Sequence, residues 1–97
     1  MVRDAARAGA LAGVRRRIDH LDERLLRLLN ERAMLALAIG RLKRRRKWPV
    51  FDPKRERFVL RHIVSVNRGP LSSAAVRHVF QAILCECRRR EQRRKQK

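Results

Sequence analysis

The feature that most constrains the fold is a long segment, residues 14–47, that contains no proline and has Gly40 as its only glycine. Strong helix formers (Leu, Ala, Arg and Glu) dominate this segment. Its apolar side chains recur at alternating steps of four and three residues, the pattern of a helix packed lengthwise on another helix. The series consists of Val14, Ile18, Leu21, Leu25, Leu28, Leu35, Ile39 and Leu42. The sequence therefore predicts a long first helix over residues 14–47.

Two shorter helices are predicted after the long one. Pro49 ends the first helix, because the residue before a proline is disfavoured in the α conformation. Asp52 and Pro53 suit the N-cap and the first turn of a second helix, which would run to Asn67. After a Gly-Pro break at residues 69–70, a serine pair caps a third helix with apolar positions at the helical period. With no strand candidate, the predicted fold class is all-α, with one long and two shorter helices per chain.

The length of the first helix predicts a dimer. About 34 helical residues would span roughly 50 Å, whereas a compact monomer of this size has a radius of gyration of only about 13 Å. Two short helices cannot cover both ends of such a helix. A second copy of the chain, with the long helices side by side, would cover them.

Length and composition limit the domain organisation and the location of the protein. The 97 residues leave room for one domain, expected at 14–92, between a flexible N-terminal segment (1–13) and a basic C-terminal tail (93–97). No apolar run is long enough to span a membrane, and no signal peptide is recognisable. The two cysteines are too few to stabilise a small secreted fold. A cytoplasmic protein without membrane contact is expected.

The net charge of +18 favours one rival function, nucleic-acid binding. Basic residues are, however, spread evenly over both halves of the chain, and no recognition-helix motif is present. Aromatic residues make up only 4% of the chain, which argues against a surface that stacks bases. No specific nucleic-acid partner is therefore expected.

Helical spacing indicates a candidate anion site. Arg32 and Lys43 are 11 residues apart, so they point the same way about 16 Å apart along the helix. Arg15 lies about 100° away from them on the same helix, but its equivalent from an antiparallel partner could join them. Such cations would suit a small dianion enclosed between helices. The alternative, a register-setting arginine and a solvated charge run, stays open on spacing alone.

Three segments of the sequence together resemble the all-helical chorismate mutases. The resemblance covers about residues 14–92, in order and with compatible spacing. It is carried by Arg15-x-x-Ile18-Asp19-x-Leu21-Asp22 continuing to Asn30-Glu31-Arg32 and Ile39-Gly40-Arg41-Leu42-Lys43, by Pro49-Val50-Phe51-Asp52-Pro53-x-Arg55-Glu56, and by Asn67-x-Gly69-Pro70-Leu71-Ser72 leading to Val79-Phe80-Gln81.

This resemblance implies an intertwined homodimer with two equivalent active sites, each completed by an arginine from the neighbouring chain. The implied reaction is the concerted rearrangement of chorismate to prephenate, with no metal, no organic cofactor and no covalent enzyme intermediate. The enzyme would be an isomerase of aromatic amino acid biosynthesis, the shikimate pathway.

The resemblance also assigns the residues that hold the two carboxylates and the ether oxygen. Arg15 of the partner chain would bind one carboxylate, and Arg32 would bind the other. Lys43 would reach a carboxylate and the ether oxygen together. Glu91 stands where the family has a Gln or Glu that donates a hydrogen bond to the ether oxygen. Because only a protonated carboxyl can donate, activity is expected to decline as pH rises and to be rescued by Glu91→Gln.

The remaining assignments concern the ring of the substrate. Asp52 and Glu56 would hold the ring hydroxyl, and Arg55 would add positive charge at the site. The family resemblance leaves open a related mutase acting on 4-amino-4-deoxychorismate and an isochorismate-pyruvate lyase. A pathway enzyme that binds this domain as a partner is also possible.

Overall fold

The computed structural model describes residues 2–92 and consists of three helices. These are α1 (Val2–Arg46), α2 (Pro53–Val66) and α3 (Ser73–Gln92), and no strand occurs within the described range. The all-α class and the order of one long and two shorter helices are confirmed. The predicted basic tail, residues 93–97, lies outside the described residues.

The start of α1 differs from the prediction. The helix begins at Val2 rather than Val14, so residues 2–13, assigned to a flexible segment from the sequence, are helical. This segment is rich in alanine, the best helix former, which offsets the cost of about 1 kcal/mol for each of Gly9 and Gly13. Asp4 also places a negative charge in the first turn, where the helix dipole favours it.

The end of α1 is set by a backbone motif as well as by Pro49. Lys47 adopts the left-handed conformation with φ 58°. Its amide donates to Arg44 O at 3.2 Å, and the Trp48 amide donates to Lys43 O at 2.8 Å. These two bonds form a Schellman C-cap, in which a glycine is the usual left-handed residue. The chain therefore turns out of α1 directly after Arg46.

Side chains cap the two shorter helices as their sequences suggest. Asp52 caps α2: its Oδ1 accepts from the Arg55 amide at 3.0 Å, and Pro53 occupies the first turn. Ser72 caps α3, because its Oγ accepts from the Ala75 amide at 3.1 Å. Between these helices, the Asn67 side chain donates to Leu71 O and accepts from the Gly69 amide.

The chain divides into two compact units between Glu31 and Arg32. The second unit contains the buried core, where α2 packs against α3. The core side chains are Ala36, Val59, Val76, Leu84 and Cys87.

The first unit has no buried residue between positions 3 and 31. Its apolar seam is about half exposed, with Val14 at 52% and Leu28 at 59%. Two apolar residues of α2, Phe58 and Val66, are also exposed. Phe58 instead stacks on His62 and lies under the Arg55 guanidinium, 5.2 Å from the ring centroid. The apolar residues do recur at the helical period that the sequence predicts, but a single chain leaves many of them exposed.

Candidate active site

The second unit contains a cavity of about 440 Å³. Aliphatic side chains and a buried thiol form part of its wall, and charged side chains from all three helices and from the residue capping α2 form the rest. The uncharged lining residues are Leu35, Ala36, Ile39, Val50, Val59, Leu84 and Cys87. The charged lining residues are Arg32, Lys43, Asp52, Arg55, Glu56, Arg88 and Glu91. Six of the seven site residues selected from the sequence therefore line one cavity.

Two cations reach the cavity from α1. Arg32 and Lys43 are both partly buried and both line the cavity, which agrees with their common face on the helix. Lys43 Nζ donates to Val50 O at 2.7 Å and to Glu91 Oε2 at 3.2 Å. These two bonds hold the ammonium group in place, so its position does not depend on a bound ligand.

The start of α2 supplies Asp52, Arg55 and Glu56. Asp52 has two functions, because Oδ1 caps the helix while the residue also lines the cavity. A carboxylate has two oxygens, so capping leaves one of them available to a ligand. All three residues belong to the N-cap or the first turn of α2, so they reach the cavity from the same end of this helix.

Glu91 is placed by close contact between α3 and α1. A Cβ built on Gly40 would lie 2.6 Å from Glu91 O and 3.0 Å from Glu91 Cα, so only glycine permits this approach. Arg44 Nη1 also donates to Glu91 O at 2.8 Å. In this state the Glu91 carboxylate accepts from Lys43, and its side chain is 15% exposed. The Glu91 side chain therefore lies in the wall of the cavity.

Arg88 is the charged lining residue that the sequence analysis missed. Its Nη1 donates to both carboxylate oxygens of Glu56, at 2.7 and 2.6 Å. The hydrogen bond to Glu56 is the main reason that the pKa of Arg88 is raised above its usual value. The two residues are 32 positions apart, so no local spacing could have indicated the pair. Cys87 is buried and also lines the cavity, with a thiol that is only a weak hydrogen-bond donor.

Arg15 is the one selected residue that does not line the cavity. It belongs to the first unit and is exposed. The resemblance assigns Arg15 to the active site of the neighbouring chain, so a single chain would not bring it to its own cavity.

The lining carries four cationic and three anionic side chains. Ion pairing within the lining compensates part of this charge, through Lys43 with Glu91 and Arg88 with Glu56. Arg32 and Arg55 have no carboxylate partner within 4.0 Å among residues 2–92. A cavity with two uncompensated guanidinium groups and an aliphatic wall suits a small carboxylate ligand with an apolar ring.

Two negative findings apply to residues 2–92. No group of three or more His, Cys, Asp or Glu side chains lies close enough to hold a metal ion. No helix in this range is long and apolar enough to cross a membrane.

The fold and the cavity together define a small all-helical domain with a cavity lined by cationic and apolar side chains. A family model described as chorismate mutase type II matches residues 14–92, and the chain belongs to that family.

Similar proteins carry the same family name. The chain is 42% identical over 87 residues to a bifunctional chorismate mutase/prephenate dehydratase of Pseudomonas aeruginosa, covering 84% of this chain and 24% of that protein. For the bifunctional enzyme of Neisseria gonorrhoeae the identity is 47% over 73 residues, covering 75% of this chain and 20% of the relative. The chain thus spans about a quarter or less of these relatives.

A solved structure matches over nearly its whole length. The chorismate mutase (form II) of Thermus thermophilus superposes with a TM-score of 0.85 at 34% identity. The superposition covers 89% of this chain and 98% of that chain. This chain therefore shares its three-helix fold with a chorismate mutase of similar length.

Proposed function

We propose that this domain catalyses the rearrangement of chorismate to prephenate. The observation that carries the proposal is the convergence of Arg32 and Lys43 from α1 with Asp52, Arg55 and Glu56 from α2 in one cavity. Family membership gives this arrangement its chemical interpretation. Chorismate is a dianion with an apolar ring and a ring hydroxyl, and the lining offers a group of suitable chemistry for each part.

Binding in the reactive conformation is the first contribution of the protein to rate. The carbon–oxygen bond of the ether breaks while a carbon–carbon bond forms between the enolpyruvyl group and the ring. Only a compact conformer brings those carbons together, so a site that selects it removes much of the entropic barrier. Arg32 would bind one carboxylate of the substrate, and the aliphatic wall around Val59 and Leu84 would pack against the ring.

Stabilisation of the developing charge is the second contribution. Negative charge grows on the ether oxygen as its bond to carbon breaks, and donors that are already fixed stabilise it most effectively. Lys43 is held by two hydrogen bonds beside Glu91. We assign Lys43 to a carboxylate and the ether oxygen. Glu91 is assigned to the same oxygen in its protonated form, in which its O–H donates to the ether oxygen while its other oxygen can still accept from Lys43. Arg55 would contribute positive charge, and Asp52 and Glu56 would accept from the ring hydroxyl.

A homodimer with shared sites completes the proposal. The half-exposed apolar seam of the first unit, from Val14 to Leu28, would be covered by a second copy. Burying such a seam is favourable at about 25 cal/mol for each Å² removed from water. Arg15 of the partner would then bind the second carboxylate.

Product analysis tests the proposed function. Purified protein is mixed with chorismate, the loss of ultraviolet absorbance is followed, and the product is identified by chromatography. Prephenate is expected, and Arg32→Ala should reduce kcat/KM by about 100-fold or more, since a charged hydrogen bond to the substrate is lost. Release of pyruvate would instead indicate a lyase. Inertness combined with tight, salt-sensitive DNA binding would favour the nucleic-acid alternative.

A pathway enzyme is a second proposed partner. The bacterial relatives reported above combine a chorismate mutase and a prephenate dehydratase in one protein. A separate dehydratase that binds this domain would receive prephenate directly. Sedimentation of the chain alone and with such an enzyme would show whether the complex forms.

A further inference from the structure

Arg88 lies between the candidate active site and a second, smaller cavity of about 350 Å³. Arg88, Glu56 and Leu84 line both cavities, so the ion pair forms part of the wall between the two. On its other side the Arg88 guanidinium lies 4.7 Å from the centroid of the Phe51 ring. This cation–π contact and the bonds to Glu56 together fix the guanidinium at the wall of the active site.

The Arg88 pair determines what kind of group Glu56 can bind. A carboxylate that already accepts two hydrogen bonds from a guanidinium keeps lone pairs free for a further donor. A neutral hydroxyl can use them without electrostatic cost. An ammonium group in the same place would lie close to the Arg88 charge and would be repelled.

The charges of the four ionisable side chains at the α2 end of the cavity cancel one another. Asp52 and Glu56 are negative, whereas Arg55 and Arg88 are positive. Without Arg88 the two carboxylates would outnumber Arg55, and the site would attract a cation. The raised pKa of Arg88, caused mainly by its hydrogen bond to Glu56, agrees with an arginine that stays charged in this position.

We propose that Arg88 is a specificity-determining residue that makes this site prefer a ring hydroxyl over a ring ammonium. The inference rests on the proposed function, because it takes Glu56 as the group that meets the ring substituent. Arg88 would thereby discriminate between two substrates of the same reaction class that differ only in carrying a hydroxyl or an ammonium group on the ring. Arg88 acts here through Glu56, as a positioning residue.

Three variants test the proposal with chorismate and 4-amino-4-deoxychorismate as the two substrates. Arg88→Gln removes the charge but keeps a hydrogen-bond donor, and Arg88→Lys keeps the charge. Arg89→Gln is the matched control, because Arg89 is the next residue on α3, is 69% exposed and forms its ion pair with the exposed Glu86. The measured quantity is the ratio of kcat/KM for the hydroxyl substrate to kcat/KM for the amino substrate, with competitive inhibition constants where turnover is slow.

The ratio should favour the hydroxyl substrate in the wild-type protein. In Arg88→Gln it should fall by about tenfold to hundredfold, the range expected for removing a like charge near a binding site that solvent partly screens. The side chains of Arg88 and Glu56 are 29% and 25% exposed, so values near the lower end of the range are expected. Arg88→Lys and Arg89→Gln should keep the wild-type ratio within about threefold.

A purely structural role for Arg88 would reduce kcat/KM for both substrates equally and leave the ratio unchanged, which would overturn the proposal. A fall in the ratio for Arg88→Lys as large as that for Arg88→Gln would also overturn it. If Arg88→Gln does not fold, as judged by circular dichroism, Arg88→Met removes the same charge with a side chain that can pack on Phe51, and an unchanged ratio in that variant would overturn the proposal. Failure of the wild-type protein to rearrange chorismate would refute the proposed function, an outcome distinct from an unchanged ratio in an active enzyme.

Discussion

Substitution of Gly40 by alanine should damage the site although it replaces none of the side chains assigned to the substrate. The alanine Cβ would lie 2.6 Å from Glu91 O, whereas ordinary van der Waals contact begins at 3.4 Å, so α3 must move away by about 0.8 Å. The atoms that collide belong to the backbone of α3, which cannot rotate aside as a flexible side chain would.

Stability and activity should respond differently to this shift. Overpacking a buried contact costs about 1–3 kcal/mol, and the higher helix propensity of alanine returns about 1 kcal/mol. The free energy of unfolding should therefore fall by about 0–2 kcal/mol. Misplacement of a catalytic donor by about 1 Å can cost about 100-fold, so kcat should fall by about 10- to 100-fold through the displacement of Glu91.

Urea denaturation and initial rates with saturating chorismate measure the two effects. Gly9→Ala is the control, since nothing lies within 4 Å of a Cβ at that position. It should leave kcat unchanged and raise stability by up to about 1 kcal/mol. If Gly40→Ala behaves like this control, with full activity and increased stability, the close approach of α1 and α3 and the placement of Glu91 derived from it are wrong.

Further substitutions separate capping from chemistry. In a pH–rate profile, kcat of the wild-type protein should fall as pH rises, because Glu91 must be protonated to donate a hydrogen bond to the ether oxygen. Glu91→Gln should flatten the profile. A flat wild-type profile would exclude Glu91 as this donor. Lys47→Gly should raise the free energy of unfolding by about 1 kcal/mol, since glycine adopts the left-handed conformation without strain; no gain in urea denaturation would contradict the Schellman cap. Asp52→Ala should lower stability by about 1 kcal/mol and also lower kcat/KM, whereas Asp52→Ser should keep stability through the cap but still lose activity. Equal stability of the two Asp52 variants would contradict the capping role.

The sequence predicts the helices well because their signals are local. Apolar periodicity, Pro49 and the Asp52-Pro53 pair act over a few residues, so they identify three helices and two of their boundaries. The predicted start of α1 is too late because the apolar series begins at Val14, whereas the helix itself begins at Val2. The left-handed Lys47 could not be foreseen, since that position favours glycine and its geometry depends on bonds back to Lys43 and Arg44.

The site was only partly accessible to sequence reasoning. Helical spacing places Arg32 and Lys43 on one face, and the family resemblance adds the residues of α2 and Glu91. Arg88 was missed because its partner Glu56 is distant in sequence and belongs to another helix. The pairing of Lys43 with Glu91 is likewise a tertiary contact, made possible by the glycine that lets α3 approach α1.

The sharing of one active site between two copies is tested most directly by subunit complementation. Arg15→Ala and Arg32→Ala are each purified, found inactive, and then mixed under conditions that exchange subunits. In a mixed dimer one site carries both substitutions and the other carries neither, so random exchange at equal concentrations should restore about one quarter of the wild-type activity. An Arg15→Ala protein that is fully active by itself, or a mixture that remains inactive although sedimentation shows exchanged dimers, would contradict an arginine supplied across the interface.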